Sequence, residues 1–426
     1  MAADDIAGNW AATYRGLFQA TGDRPVNAGG IEVAVLVGFL AWTCVAVTAF
    51  PVVVLFIQVA SACLWRRKAP QAPATRRPSI VVLVPAHDEG AGIVDTLYSV
   101  KGQLGEGDRL LVIADNCGDD TAQQARQAGA EVIERFDTRQ RGKIYALEFG
   151  IAHLRASPPE VVIVVDADCW VADGCIDRIA CQCASTGRPV QALYLMEAAG
   201  GGPGMRIAAF AWAVKNRVRP LGFLRWGLPC QVMGSGIAYP WQKINDVPVA
   251  NGFLVEDFKL GLDLAAAGAA PQFCPDAWVS SRFPANAAGR EGQRRRWEHG
   301  SLSLIGGALP LAAFRAVKEG NLPLLAMVID LFVPPLAFLS LAVFGLVALV
   351  ALTGMAGGGW MPLAAAGIVV GMLIVSVFLG WYRFGRDIVS FADLMTVPAY
   401  AASKIPLYIK FFSDRQRAWE RTQRDG

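Results

Sequence analysis

A chain of 426 residues allows two or three domains. Its 54% hydrophobic content, 18% charged residues and mean hydropathy of +0.37 argue against a purely soluble enzyme and for an aqueous domain joined to bilayer segments. The net charge of +3 excludes a bulk polyanion binder, so no nucleic-acid partner is expected.

Residues 1–30 lack the basic start of a signal peptide and are expected to form an extracytoplasmic segment. Residues 31–65 are nearly free of charge and long enough for one tilted span, with Pro51 as the place for a kink. The basic, Pro/Ala-rich linker 66–78 carries Arg66, Arg67, Lys68, Arg76 and Arg77, which marks that side as cytoplasmic. From 79 to 300, "SIVVLVP", "RLLVIAD", "AEVIER" and "PEVVIVVDAD" read as strands. "AGIVDTLYSVKGQ", "DDTAQQARQAG" and "RGKIYALEFGIAHLR" between them have helical spacing. Strands apolar on both faces that alternate with helices predict a parallel sheet covered on both sides, with ligands at the strands' carboxyl ends. Residues 301–320, with Arg315 and Lys318 beside an apolar stripe, predict an interfacial helix. Residues 321–383 hold two further spans. The first contains Asp330 and Pro334-Pro335, and Arg383 and Arg386 follow the second on the cytoplasmic side. Residues 384–426 read as an interfacial helix, interrupted by Pro398 and Pro406, and a basic cytosolic tail.

The nine cysteines form no CxxC pair and are joined by three scattered histidines, His87, His153 and His299, so neither a disulfide framework nor a zinc site is expected. The acids are more telling. "PAHDE" (85–89), "IADNCGDDT" with Asp115, and "VVDADCW" with Asp166 and Asp168 each end a strand, and "VED" puts Glu256 and Asp257 at a helix start. An acid before a helix also serves as an N-cap, so Asp119, Asp120 and Asp257 each have that second reading. Alternation sends Asp166 and Asp168 to one side, where two hard oxygen ligands suit Mg²⁺ or Mn²⁺.

The order PAHDE, ADNCGDD, GK, DAD, ED, QRRRW resembles glycosyltransferase family 2, over about Pro78 to Trp297. More narrowly it resembles the membrane-embedded branch with cellulose, chitin and hyaluronan synthases and ceramide glucosyltransferase. The family often has Tyr at His87, Asn at Asp88 and DDG where this chain has ADN. The resemblance implies a GT-A fold (α/β, with a Rossmann-like mixed, mainly parallel sheet) and an inverting, metal-dependent mechanism. Carried over by position, Pro85, Ala86, Glu89, Asp115 and Lys143 bind the nucleotide-sugar, Asp166 and Asp168 hold the metal on its diphosphate, and Asp257, beside Glu256, is the general base. Gln293, Arg296 and Trp297 match QxxRW: Arg296 would meet the pyrophosphate, and Gln293 and Trp297 the acceptor. Gly234, Ser235 and Gly236 of "QVMGSGIAY" resemble an acceptor-side strand, with a simple bulge as the alternative. Arg294 and Arg295 equally suit a positive-inside anchor.

The function expected is transfer of a sugar from a UDP-sugar to a growing glycan at the cytoplasmic face of the inner membrane, by a multi-pass protein. The alternatives are single transfer to a polyprenyl phosphate or ceramide-like lipid, and a nucleotide-binding pseudoenzyme scaffold. A transporter is disfavoured by the few spans, although a lone acid in an apolar run marks Asp330 as a possible channel or acceptor contact.

Overall fold

The structure is a computed structural model that describes residues 28–66, 76–90, 92–198, 200–247, 255–284 and 286–413. Nearly all of the expected N-terminal segment, most of the basic linker and the tail from residue 414 lie outside the described residues.

The Val- and Ile-rich runs form β1 (Ile80–Ala86), β2 (Arg109–Asp115), β3 (Glu131–Arg135) and β4 (Val161–Val164). β1 and β4 are buried along their whole length, as strands covered on both faces must be, whereas the more polar β3 lies at an edge. These four pair in parallel, β3-β2-β1-β4, through crossovers carrying the helices Gly92–Lys101, Thr121–Gln127 and Lys143–Leu154. Beyond β4 the directions mix. β7 (Ile237–Pro240) is antiparallel to both β4 and β6 (Val190–Glu197), β6 runs parallel to β8 (Gln272–Arg282), and β5 (Trp170–Val171) closes the far edge antiparallel to β8. Among the described residues the sheet thus has eight strands, ordered β3-β2-β1-β4-β7-β6-β8-β5. This is the mixed, mainly parallel α/β sheet expected. Its parallel run ends at β4, and the DAD sequence leaves the sheet there.

The core fixes what stands around that point. Leu83, Leu111, Ile113 and Val162 of the sheet pack with Ile144, Leu147, Ile151 and Leu154 of helix Lys143–Leu154 and with Leu260 and Leu264 of helix Glu256–Ala266. Each such side chain stabilises the fold by about 1.5–3 kcal/mol. Both helices are therefore anchored to one cluster with their N-terminal turns, Lys143 on one and Glu256-Asp257 on the other, near the end of β4. A second cluster joins Phe258 and Leu262 to Leu304, Leu309, Leu324 and Met327, which ties helix Ala287–Gly306 to helix Glu256–Ala266.

Among the described residues three helices are long and apolar enough to cross a membrane: Val33–Cys63, Leu336–Gly358 and Met361–Phe384. Pro51 is accommodated inside a continuous helix. Two expectations need correction. The run read as one span from 322 onward is broken into Leu322–Leu331 and Leu336–Thr353, because Pro334 and Pro335 remove two donors and clash with the preceding turn. Residues 301–306 end helix Ala287–Gly306, and the chain bends by 46° at Gly307 before Ala308–Lys318. The C-terminal apolar stretch forms three short helices, Phe391–Leu394, Val397–Ala402 and Ile405–Ser413, with Pro398 and Pro406 in the opening turns of the last two.

The chain divides into two compact units. One takes the residues up to Val53 with Ser340–Ile374, and in it Ala41 and Val45 pack with Leu346, Val350 and Ala366. The other takes Val54–Leu339 with Val375 onward and contains the sheet. Within this second unit helix Arg219–Arg225 runs so close to the main chain of Gln58 that a Cβ on Gly222 would meet it at 2.1 Å.

Candidate functional site

Residues from seven separate segments line a cavity of about 140 Å³ at the end of β4. Asp166 follows the strand by two residues, and its N–H donates to Ser235 Oγ at 3.0 Å. Lys143 opens its helix, after Gly142 at φ 121°, and reaches Asp166 Oδ1 at 2.6 Å. The same ammonium donates to the Gly234 carbonyl at 2.6 Å and stands 4.0 Å from Asp257 Oδ2. Asp168 Oδ2 accepts from Ser281 Oγ of β8 at 2.7 Å. Lys143, Asp166, Asp168, Glu256 and Asp257 all line the cavity.

Gly234 is held at φ +99°, and a Cβ there would meet Asp257 Oδ2 at 2.9 Å, so both the turn and the close approach require glycine. Gly234 and Gly236 precede β7 and do not lie in it, which corrects the expected acceptor-side strand. Ser235, expected at the acceptor, stands behind the cavity wall. Its side chain is fully buried, is turned to the Asp166 main chain and does not line the cavity. Gly236 does not line it either; a Cβ there would strike Val279.

The QxxRW spacing of 0, 3 and 4 places Gln293, Arg296 and Trp297 on one face of helix Ala287–Gly306, and all three line the cavity. Arg294 lies instead over the Tyr400 ring, 5.9 Å from its centroid. On the back of the same helix, Glu298 is paired with Lys404 and Tyr408, and His299 Nε2 lies 3.1 Å from the Leu407 carbonyl.

The electrostatics follow from crowding. Burial raises the Asp166 carboxyl; Lys143 opposes that, and Asp168 adds to it. Burial pushes Glu256 up to about 7, with Asp257 next in effect. For Lys143, burial works downward but is outweighed by Asp166, then Asp257, so the ammonium is held above its ordinary range. The ligand atoms of Asp166, Asp168 and Cys169 lie within 4.8 Å of one another. Two half-buried, mutually repelling carboxylates lining the cavity are a donor set that fits a hard divalent cation, Mg²⁺ or Mn²⁺.

The remaining expected residues lie at the adjacent ends of β1 and β2. Pro85 and Ala86 close β1, and the Glu89 N–H donates to Thr121 Oγ1. Asp115 is buried in an ion pair with Arg135 at 2.6 Å. These residues are outside the lining of the cavity. Asp88 and Asn116 sit at φ 51° and 54°, unusual for residues with a side chain, so the two loops are conformationally constrained. Asp119 joins them by accepting from the Gly90 and Thr121 N–H groups. His87 lies against the Asp115 carbonyl at 2.6 Å.

Several lining residues escaped the sequence reading: Tyr194, Trp212, Lys215, Met233 and Phe258. The Trp212 and Trp297 rings pack with centroids 4.5 Å apart and planes tilted by 39°. A lone lysine in the apolar run "AFAWAVKNRV" was the available signal for Lys215.

Two family models match the chain: glycosyl transferase family 2 over residues 81–185, and glycosyl transferase family group 2 over residues 161–402, which is more than half of it. The chain belongs to glycosyl transferase family group 2. As a family member it is a nucleotide-sugar transferase. The transferase is also similar in fold to a solved mannosyltransferase from Pyrobaculum calidifontis in complex with GDP-mannose and Mn²⁺. The two are 16% identical with a TM-score of 0.52, over 89% of this chain and 100% of the other. A glucosyl-3-phosphoglycerate synthase from Mycobacterium tuberculosis, in complex with Mn²⁺, UDP and phosphoglyceric acid, is 22% identical with a TM-score of 0.38, over 56% of this chain and 84% of its own. No curated protein matches the transferase.

Proposed function

We propose that this chain is an inverting glycosyltransferase of the membrane-embedded synthase branch. In this reading residues 79–300 form a cytosolic catalytic domain that moves a sugar from a nucleotide-sugar to a growing glycan at the inner face of the cytoplasmic membrane. The observation that carries the reading is the convergence of Lys143, Asp166, Asp168, Asp257, Arg296 and Trp297 on one cavity. Arg383 at the end of the last apolar helix, with Arg386 just beyond it, supports a cytosolic catalytic side.

The donor's base and ribose would lie against Pro85, Ala86, Glu89 and Asp115, with the diphosphate reaching Asp166. Asp166 and Asp168 would hold Mg²⁺ or Mn²⁺, which supplies positive charge against the charge that builds on the leaving diphosphate. Lys143 and Arg296 add fixed cations, and the planar guanidinium suits two phosphate oxygens. Asp257 takes the proton of the acceptor hydroxyl as that oxygen attacks the anomeric carbon and the bond to the diphosphate breaks. A single displacement with the base opposite the leaving group inverts the anomeric centre. Trp297, backed by Trp212, offers a flat apolar face for the acceptor's sugar ring.

The test is to incubate the purified full chain in bilayers with UDP- and GDP-linked sugars and Mn²⁺, reading released nucleoside diphosphate and product length. Release with a ladder of products is expected. A single added sugar would move the assignment to lipid modification, and no release with any donor would overturn the transferase reading in favour of a scaffold.

A further inference from the structure

Lys215, like Arg296, is a cation of the cavity wall with no ion pair among the described residues. It lies in the π-helical turn Val214–Val218, between Pro203–Ala213 and Arg219–Arg225, a local widening that is frequent at functional sites. Among the described residues its ammonium makes no hydrogen bond or ion pair. Its contacts are two ring faces, Trp212 at 4.9 Å and Phe258 at 4.7 Å from the centroids.

The acids around it are already engaged. Asp330 is bound by Arg219 at 2.7 Å and by Gln58 at 2.6 Å. Glu298 is paired with Lys404 and Tyr408. Asp257 faces Lys143. Burial, and next the Arg219 charge, push the Lys215 ammonium down to about 8, as befits a cation short of counter-charge. Lys215 is half-buried, and the two cation–π contacts are the only ring or ionic contacts its ammonium has among the described residues. The position is nonetheless rigid: Trp212 Nε1 and Asn216 Nδ2, on either side of Lys215, both donate to the Tyr194 carbonyl, at 3.0 and 3.2 Å. A fixed cation without an ion-pair partner, beside the packed rings of Trp212 and Trp297, is completed by an anion that arrives with a ligand.

We propose that Lys215 binds an oxyanion, phosphate or carboxylate, carried by the acceptor, so that this enzyme selects acidic acceptors over neutral ones. The assignment deepens the transferase reading and rests on it, because it takes the Trp297 side of the cavity as the acceptor side. In the proposed reading donor phosphates have their own partners in Lys143, Arg296 and the cation that Asp166 and Asp168 would hold, which is why the anion is assigned to the acceptor.

The test uses the full chain with short, soluble probes: hexyl phosphate, hexyl glucuronide and the neutral hexyl glucoside, titrated against the fluorescence of the tryptophans. UDP and GDP with Mn²⁺ report on the donor side. The wild type is expected to bind an anionic probe about tenfold more tightly than the glucoside, the scale of one charge-assisted hydrogen bond. Lys215→Met removes that preference, Lys215→Arg retains it, and nucleotide affinity changes by less than about twofold. Preference for the phosphate names a phosphorylated acceptor, and preference for the glucuronide an acidic sugar. Equal binding of all three probes by the wild type overturns the proposal, and does so even if Lys215→Met fails to fold. So does an equal loss of nucleotide affinity in Lys215→Met, which would put Lys215 at the donor. The transferase reading fails separately, through absence of nucleotide release from every nucleotide-sugar by the wild type.

Discussion

The cavity has two kinds of wall, and they are built differently. The acidic wall of Asp166, Asp168, Glu256 and Asp257 comes from residues just past a strand end or at a helix start, fixed by main-chain geometry. The aromatic wall of Trp212, Trp297 and Phe258, with Lys215 between two of its rings, comes from helix faces that meet only through packing. Chemistry needs charge at fixed points, so it is placed where the backbone is most determined. In the proposed reading the aromatic wall recognises the acceptor, which needs area and shape, and helix faces supply them. Damage to the acidic wall should therefore lower turnover without changing acceptor affinity, and damage to the aromatic wall should do the reverse.

The largest effect expected is on metal removal. Excess chelator should bring transfer to background, and added Mg²⁺ or Mn²⁺ should restore it; full turnover in chelator would remove Asp166 and Asp168 from the metal role. Next, Asp257→Asn should slow transfer by about 10²–10⁴-fold, the range of general-base catalysis, while nucleotide binding is nearly kept. Equal loss of both would end its assignment as base. Asp330→Ala probes the support behind the aromatic wall. It leaves Arg219 buried without its carboxylate and should cost about 3–5 kcal/mol of stability, read as a large drop in unfolding temperature, whereas an unchanged melt would show that the pair carries nothing. Gly234→Ala forces a Cβ onto Asp257 at an αL-like φ, and should lower turnover more than acceptor affinity. The smallest effect is that of Trp297→Ala, about a tenfold rise in acceptor KM from lost stacking, with donor hydrolysis less affected. The opposite split would move Trp297 to the donor side.

The same contrast explains what could be read in advance. β1, β2 and β4 are continuous apolar runs ending in acids, so both their burial and their ligand-facing ends were legible. β5 has two residues, β7 has four, and β8 carries Pro275 opposite a register shift between Ala192 and Leu193 of β6, so no clean alternation marked that half of the sheet. QxxRW was legible through the family resemblance, and the structure shows that its spacing puts the three residues on one helix face. Its companion Trp212 was not, because it comes from a helix 85 positions earlier in a run that reads as ordinary apolar helix. Asp330 was marked as a lone acid in an apolar run. Its partners Gln58 and Arg219 lie 272 and 111 residues away, and only the fold brings them together. Asp115 and Arg135 show the same limit on a shorter scale: each ends a strand, and pairing of β2 with β3 sets them side by side.

The central claim, that the acidic wall receives a cation-bound diphosphate, is tested most directly by calorimetric titration of the intact protein with UDP and GDP, with and without Mn²⁺, in the wild type and in Asp166→Ala/Asp168→Ala. The account predicts nucleotide binding that Mn²⁺ strengthens in the wild type and a loss of that strengthening in the double variant. An identical response to Mn²⁺ in both proteins would contradict it.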